Sequence, residues 1–301
     1  MKGRIYDGVL ELIGSTPLVR LGQISPEGGA EICAKLELRN PAGSVKDRPA
    51  LAMILEAEAR GALAAGATIV EASSGNTGIS LAMISAVRGY RCVIVMPEDM
   101  SVARRMLVKC YGAEVVLTPA EDGMAGAVAR AEQLVRERGA FVVGQFDNPA
   151  NPGTHEATTG PEIWRDTEGY LQAFVAGVGT GGTLSGVAAF LKRQQQSLRV
   201  IAVEPRGSAI LSGGRPGLHG IQGLGAGFVP ETLNLDLVDQ VVTVTDRAAE
   251  AMRRRLARLE GLLVGPSSGA NVHAALEVAR RMAPSERVVT VICDGGERYL
   301  V

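Results

Sequence analysis

The scarcities in this sequence narrow it first. Only three histidines occur, His155, His219 and His273, and none stands at metal-ligand spacing from another. The four cysteines, Cys33, Cys92, Cys110 and Cys293, lie far apart and form no C-x-x-C pair. A zinc centre and a disulfide-stapled secreted scaffold are thereby excluded, and a reduced, cytoplasmic protein without a metal is expected. Aromatic residues make up only 4% of the chain, and the net charge of -1 contains no block of one sign. Neither a basic nucleic-acid surface nor a charged tail is indicated. No apolar run is long enough to span a bilayer, and Met1-Lys2-Gly3-Arg4 opens without the apolar stretch of an export signal, so no membrane or secretory role is expected.

Glycine, by contrast, is plentiful, with 38 among 301 residues, gathered where apolar runs meet helical patterns. Short continuous apolar runs at 32–37, 68–72, 91–97, 114–118, 141–146, 173–178, 199–204, 241–244, 262–264 and 288–292 read as strands buried on both faces. Helices are expected from Gly78, Ser101, Asp122 and Thr183, and over 156–166, 247–259 and 270–282. Such repeated βα units predict an α/β fold of mainly parallel twisted sheets flanked by helices. The segment 147–153, with three Asn/Asp and two Pro, is the natural domain crossing. Two α/β domains are expected: a smaller one at 42–148, and a larger one at 149–301 onto which 1–41 packs. The site is expected in the cleft between them, beyond the strand carboxyl ends.

The stretch Asn40-Pro41-Ala42-Gly43-Ser44-Val45-Lys46-Asp47-Arg48 combines turn residues with a helix start. Ser44-x-x-Asp47 has the form of a capping box, which puts Lys46 at or just before a helix N-terminus. The helix dipole disfavours a cation there and draws the lysine toward its free amine, the form that attacks an aldehyde. A solvated surface lysine is the plainer reading, and the residues alone do not decide between the two.

Three further loops follow buried strands. Ser73-Ser74-Gly75-Asn76-Thr77 opens a helix and offers hydroxyls, an amide and unpaired backbone N–H groups to a small carboxylate, or else is an ordinary cap. Gly177-Val178-Gly179-Thr180-Gly181-Gly182-Thr183 spells G-x-G-x-x-G, and Glu204 ends the next strand where a dinucleotide fold places its ribose-binding acid. A nicotinamide-dependent oxidoreductase is therefore one reading, and a cup of N–H groups around a single phosphate is the other. Gly265-Pro266-Ser267-Ser268-Gly269 opens a later helix, where the simple role is an N-cap.

Taken together, these segments resemble the cysteine synthases (O-acetylserine sulfhydrylases), fold-type II enzymes related to cystathionine β-synthase, threonine dehydratase and tryptophan synthase β. The likeness runs through the lysine stretch, the Ser-Gly-Asn-Thr-Gly loop, the Gly-Thr-Gly-Gly-Thr loop and the Asn-Pro-Ala-Asn-Pro segment, and so covers essentially the whole chain. It implies a pyridoxal 5'-phosphate enzyme of cysteine biosynthesis that replaces the acetate of O-acetyl-L-serine with sulfide. Lys46 would then be both cofactor anchor and proton shuttle. Gly179, Thr180, Gly181, Gly182 and Thr183 would hold the phosphate, Asn76 the ring hydroxyl and Ser267 the pyridine nitrogen. Ser73, Ser74, Gly75, Asn76, Thr77, Gln145 and Gly225 would receive the substrate.

The likeness also implies a cytoplasmic homodimer and leaves open a complex with serine acetyltransferase. A cystathionine β-synthase-like or O-phosphoserine-using enzyme is the neighbouring alternative. Cys293-Asp294 and the short length resemble the type B enzymes, which accept thiosulfate, whereas 220–228 is closer to type A. Gln222 is neutral where phosphoserine enzymes place an arginine, although Arg215 lies close in sequence.

Overall fold

A computed structural model describes residues 5–73 and 75–300. In chain order the elements are β1 (Leu18–Arg20), β2 (Glu31–Leu36), α1 (Asp47–Ala59), β3 (Thr68–Ala72), α2 (Asn76–Arg88), β4 (Arg91–Pro97), α3 (Val102–Cys110), β5 (Glu114–Thr118) and α4 (Gly123–Arg138). They continue with β6 (Phe141–Val142), α5 (Ala150–Thr154), α6 (Gly160–Asp166), β7 (Ala173–Gly177), α7 (Gly182–Gln194), β8 (Arg199–Pro205), β9 (Gln240–Val244), α8 (Asp246–Arg255), α9 (Pro266–Ala279) and β10 (Arg287–Ile292).

The elements divide into a smaller unit, Met1–Ile13 with Lys46–Ala150, and a larger one, Gly14–Val45 with Asn151–Val301. The lead segment, expected to pack whole onto the larger part, is thus split, and the first junction lies at Val45–Lys46 rather than ahead of Ala42. Hydrogen bonds account for both differences. Gly14 N–H donates to Asn40 Oδ1 (2.8 Å) and Ser15 N–H to Glu162 Oε1 (2.9 Å), so the chain is held to the larger unit from Gly14 onward. At the other end, Ser44 bridges Asp294 and Val45 N–H donates to Cys293 O (2.8 Å).

The smaller unit is built on a wholly parallel sheet in the order β5-β4-β3-β6. Val70, Val93 and Val95 form one face and pack under Ala127, Ala131 and Leu134 of α4, where the small residues let the helix sit close. β6 is only two residues long, although its apolar run continues to Phe146, because Gly144 (φ +70°) turns the backbone out of the ladder.

The larger unit carries six strands in the order β1-β2-β10-β7-β8-β9, parallel except for the edge strand β1. Period-two alternation shares β7 between two cores. Val175 faces Ala270, Ala274 and Leu276 of α9, whereas Phe174 faces Leu184, Val187 and Leu191 of α7. Three expectations change here. The run at 262–264 contributes only an isolated bridge, Val264 to Gly295. The helix expected at 270–282 begins earlier, with Pro266 in the first turn, where its missing N–H costs nothing. The helix expected at 156–166 starts at Ala150 and passes through a π turn, His155–Thr159.

β2 also carries a fully buried cation, Lys35. Its Nζ lies 2.6 Å from Thr16 O, 2.9 Å from Glu162 Oε2 and 3.1 Å from Asp166 Oδ2, which ties the lead segment and α6 to the sheet. Removing one partner of such a cluster strands the other charges in low dielectric. Lys35→Ala should therefore lower unfolding free energy by about 3–5 kcal/mol. Denaturant melts test this, and a loss below about 1 kcal/mol would mean that water reaches the two carboxylates.

No disulfide joins the four cysteines. Burial pushes the Cys33 thiol up to about 11 and the Cys92 thiol up to about 12. Among the described residues no helix is long and apolar enough to cross a membrane.

Candidate active site

The loop leading to Lys46 is tied down before the lysine is reached. The Asn40 amide donates to Glu37 O (2.9 Å), Glu37 Oε2 (2.7 Å) and Ser44 O (3.1 Å), while its oxygen takes the Gly14 N–H. Both ends of the side chain are therefore in use. Gly43 adopts φ +80°, and a Cβ there would run into Arg298, so only glycine fits. Lys46 itself is the N-cap of α1, as expected, and its carbonyl accepts the Ala50 N–H at 3.0 Å. The N-cap is Lys46 rather than Ser44 and its side chain makes no cap bond, while Asp47 accepts the Ser80 hydroxyl of α2.

The loop between β3 and α2 is shaped by Ser73. Its Oγ accepts the N–H groups of Gly75 (3.3 Å) and Gly78 (3.2 Å), folding the backbone over the start of the helix. Asn76 opens α2 one position after the Gly75 N-cap. Thr77 donates to Gln145 Oε1 at 2.7 Å, so two residues expected to serve one substrate are directly joined although 68 positions apart. Ser74 lies outside the described residues.

In the larger unit, Gly177 ends β7 and α7 begins at Gly182, with Gly181 left-handed at φ +86°. This bend leaves no room for side chains. A Cβ on Gly179 would strike the Gly223 carbonyl oxygen, one on Gly181 would meet Leu233, and one on Gly182 would meet Asn151. Thr180 is buried, and its hydroxyl accepts from Asn151 Nδ2 (3.0 Å) and from Gly182 N–H (3.4 Å). Thr183 Oγ1 lies 3.2 Å from His155 Nε2, and His155 Nδ1 lies 2.9 Å from Thr159 Oγ1. His155 is buried and braces the loop from the π turn. Sequence reasoning missed both Asn151 and His155. The only trace of either was the resemblance of the Asn-Pro-Ala-Asn-Pro…His segment.

The same region decides between the two readings of G-x-G-x-x-G. Glu204 is buried and engaged by its own connection, accepting from Leu211 N–H (2.8 Å), Ser212 N–H (3.0 Å) and the Ser212 hydroxyl (2.6 Å). Three of its acceptor sites serve that connection, which favours the phosphate cup over a ribose-binding acid. Gly225 (φ +66°) is held against the loop by its N–H to Val178 O (2.9 Å), and its carbonyl lies 3.3 Å from His219 Nε2. Ser267 is buried in the first turn of α9 but does not cap it. A Cβ built on Gly223 (φ +93°) would lie 3.6 Å from its Oγ.

The donor set fits pyridoxal phosphate. A glycine bend without space for Cβ atoms, set at the N-terminus of a 13-residue helix, presents N–H groups and hydroxyls to one dianion. A neutral serine suits an unprotonated ring nitrogen. Among the described residues no group of His, Cys, Asp and Glu could hold a metal.

Comparison with known proteins agrees with this chemistry. A family model described as pyridoxal-phosphate dependent enzyme matches residues 9–294. A cysteine synthase of Staphylococcus aureus is 51% identical over 301 residues, covering 100% of this chain and 97% of that protein. Among solved structures, an O-ureido-L-serine synthase superposes with a TM-score of 0.96 at 45% identity, covering 99% of this chain and 94% of its own. A cysteine synthase from Entamoeba histolytica gives 0.95 at 41%, covering 99% and 90%.

Proposed function

The chain belongs to the pyridoxal-phosphate-dependent enzyme family, among the cysteine synthases, and on that premise we propose that it replaces the acetate of O-acetyl-L-serine with sulfide to give L-cysteine. The geometric observation that supports this most is the Gly179–Gly182 bend, whose three glycines have no room for a Cβ.

When bound, pyridoxal phosphate supplies the electron sink that makes the substrate's α-proton removable. The chain's own residues do the rest. Gly179 to Thr183 hold the phosphate, with Asn151 and His155 fixing their hydroxyls. Lys46 anchors the cofactor through Nζ, and the same nitrogen later takes the α-proton and returns it. Asn76 contacts the ring hydroxyl. Ser73, Gly75, Thr77 and Gln145 orient the substrate carboxylate, which puts the β-substituent where acetate can leave and sulfur can bond to the same carbon. Ser267 offers a neutral hydroxyl to the ring nitrogen. An aspartate there would keep the nitrogen protonated and deepen the sink, which suits transamination more than β-replacement. Gly225 flanks the phosphate loop through its N–H to Val178 O.

For the donor, Gln222 offers an amide where a phosphorylated substrate would need a bidentate cation. For the acceptor, Cys293-Asp294 keeps the type B likeness, with Asp294 fully buried and taking the Tyr299 hydroxyl, so thiosulfate is to be assayed beside sulfide. The reading places the activity in a cytoplasmic homodimer, with the absence of disulfides supporting the reducing compartment. Assaying the cofactor-loaded protein with either donor and sulfide tests it. Cysteine should form from O-acetylserine, with kcat/KM at least about tenfold above that for O-phosphoserine. A preference of that size in the opposite direction would reassign the donor.

A further inference from the structure

Arg298 has no part in the steps above, yet it reaches back 256 positions to the lysine loop. Its side chain is only 8% exposed, and its guanidinium donates to the carbonyl oxygen of Ala42, itself buried. Glu297 beside it is largely exposed and stands 3.9 Å from Nε. The loop folds at this point. Gly43 N–H donates to Asn40 O (2.8 Å), and Gly43 is left-handed at φ +80°. Arg298 lies directly over that fold, being the group a Gly43 Cβ would strike. Just beyond, Ser44 bridges Asp294 and Val45 N–H donates to Cys293 O (2.8 Å). The residues immediately ahead of Lys46 are therefore keyed to one distant segment, 293–298.

That segment is fastened from its other side to the turn carrying Ser267. Cys293 N–H donates to Ser268 Oγ (2.9 Å), Gly265 N–H to Asp294 O (3.2 Å) and Gly296 N–H to Leu263 O (3.1 Å). Tyr299 donates to Asp294, and the Arg253 guanidinium of α8 lies 5.6 Å from its ring centroid. Arg253 Nε in turn donates to Val264 O (2.9 Å). A Cβ on Gly265 would meet both Asp294 and Tyr299, so the two stretches of chain lie in close contact. We propose that Arg298 is a positioning residue for Lys46: by holding the Ala42 carbonyl it locks the lysine loop onto the segment that also holds the Ser267 turn, and so fixes the backbone from which the lysine side chain extends. This rests on the role given to Lys46 above.

The physical need comes from the lysine itself. Its four-carbon stem is flexible, so where Nζ can work depends on where the backbone holds Cα. One nitrogen must first meet the cofactor and then the α-proton, and a displacement of about 1 Å costs about a hundredfold in rate. Removing Arg298 takes that donor from a buried carbonyl and lets the fold at Gly43 relax. The phosphate bend, built from Gly179 to Thr183, has its own supports in Asn151 and His155. Loss of Arg298 should therefore disturb what depends on Lys46 and spare what depends on the phosphate.

Arg298→Met keeps the apolar stem and removes every donor. With O-acetylserine and sulfide, the cofactor-loaded variant should lose about tenfold in kcat with KM within about twofold. Titrating cofactor-free protein with pyridoxal phosphate gives the second readout. Arg298→Met should weaken binding about tenfold when Lys46 is present and by less than about twofold in Lys46→Ala, because the coupling runs through the lysine. Arg298→Lys, which can donate to Ala42 O without the planar fork, should recover part of both losses. Thermal melts report folding, and if Arg298→Met melts early the comparison of the two backgrounds is made with Arg298→Lys. Equal weakening in both backgrounds, wild-type kcat and affinity in Arg298→Met, or no recovery in Arg298→Lys would overturn the proposal. Full turnover in Lys46→Ala alone would instead overturn the role given to Lys46.

Discussion

Lys46→Ala should abolish cysteine formation, with kcat falling by at least about three orders of magnitude. The size follows from the two tasks given to one nitrogen, anchoring the cofactor and moving the α-proton. Neither adjacent residue supplies a second amine, because Asp47 is a carboxylate bonded by Ser80 and Arg48, also buried, carries a guanidinium. The loss should be chemical rather than structural. Lys46 is an N-cap without a side-chain role in capping, at φ -72° and ψ -16°, a conformation alanine adopts freely. The phosphate loop belongs to other residues, so the variant should still take up cofactor, now non-covalently. Cofactor content after desalting, far-UV circular dichroism and a cysteine assay separate these effects. Near wild-type turnover would remove Lys46 from the mechanism.

Gly179→Ala should weaken cofactor binding by about a hundredfold or more, roughly 2.7 kcal/mol. The new methyl meets the Gly223 carbonyl oxygen, and neither group is the flexible end of a side chain. Relief requires the phosphate bend or the 221–225 turn to move, and moving either displaces the N–H groups that would hold the dianion. Overpacking alone costs about 1–3 kcal/mol, and here it falls on the binding surface itself. Gly22→Ala is the control, since nothing lies within 4 Å of its Cβ position. Titrating cofactor-free protein with pyridoxal phosphate gives both affinities. Unchanged binding in Gly179→Ala would mean that the phosphate sits elsewhere.

Much of this is legible in the sequence because the signals are local. Strands buried on both faces are continuous apolar runs, and β3, β4 and β5 fall where those runs lie. A lysine among turn residues before a helix declares its own placement. Other features depend on partners that sequence distance conceals. Asn151 reaches Thr180 across 29 positions and His155 reaches Thr183 across 28, and nothing near either residue announces the bond. The Ser44-x-x-Asp47 pattern has the right spacing for a capping box, but the helix takes Lys46 as its N-cap and Asp47 reaches the Ser80 hydroxyl 33 positions away. Glu204 shows the same limit. Its distance from the glycine loop suits a dinucleotide fold, and only the amides of Leu211 and Ser212 show that it is already committed.

The buried thiols carry a consequence for an enzyme that releases a thiol. Its product oxidises to a disulfide, cystine, which an exposed protein thiolate attacks to form a mixed disulfide as a cysteine thiolate leaves. Exchange needs the deprotonated sulfur and a path to it. Cys33 in β2 and Cys92 in β4 have neither, since burial in the sheets raises both thiols well above neutrality. Each sheet thus shields a thiol from the enzyme's own chemistry, and oxidant swings that convert cysteine to cystine in solution leave both strands chemically untouched.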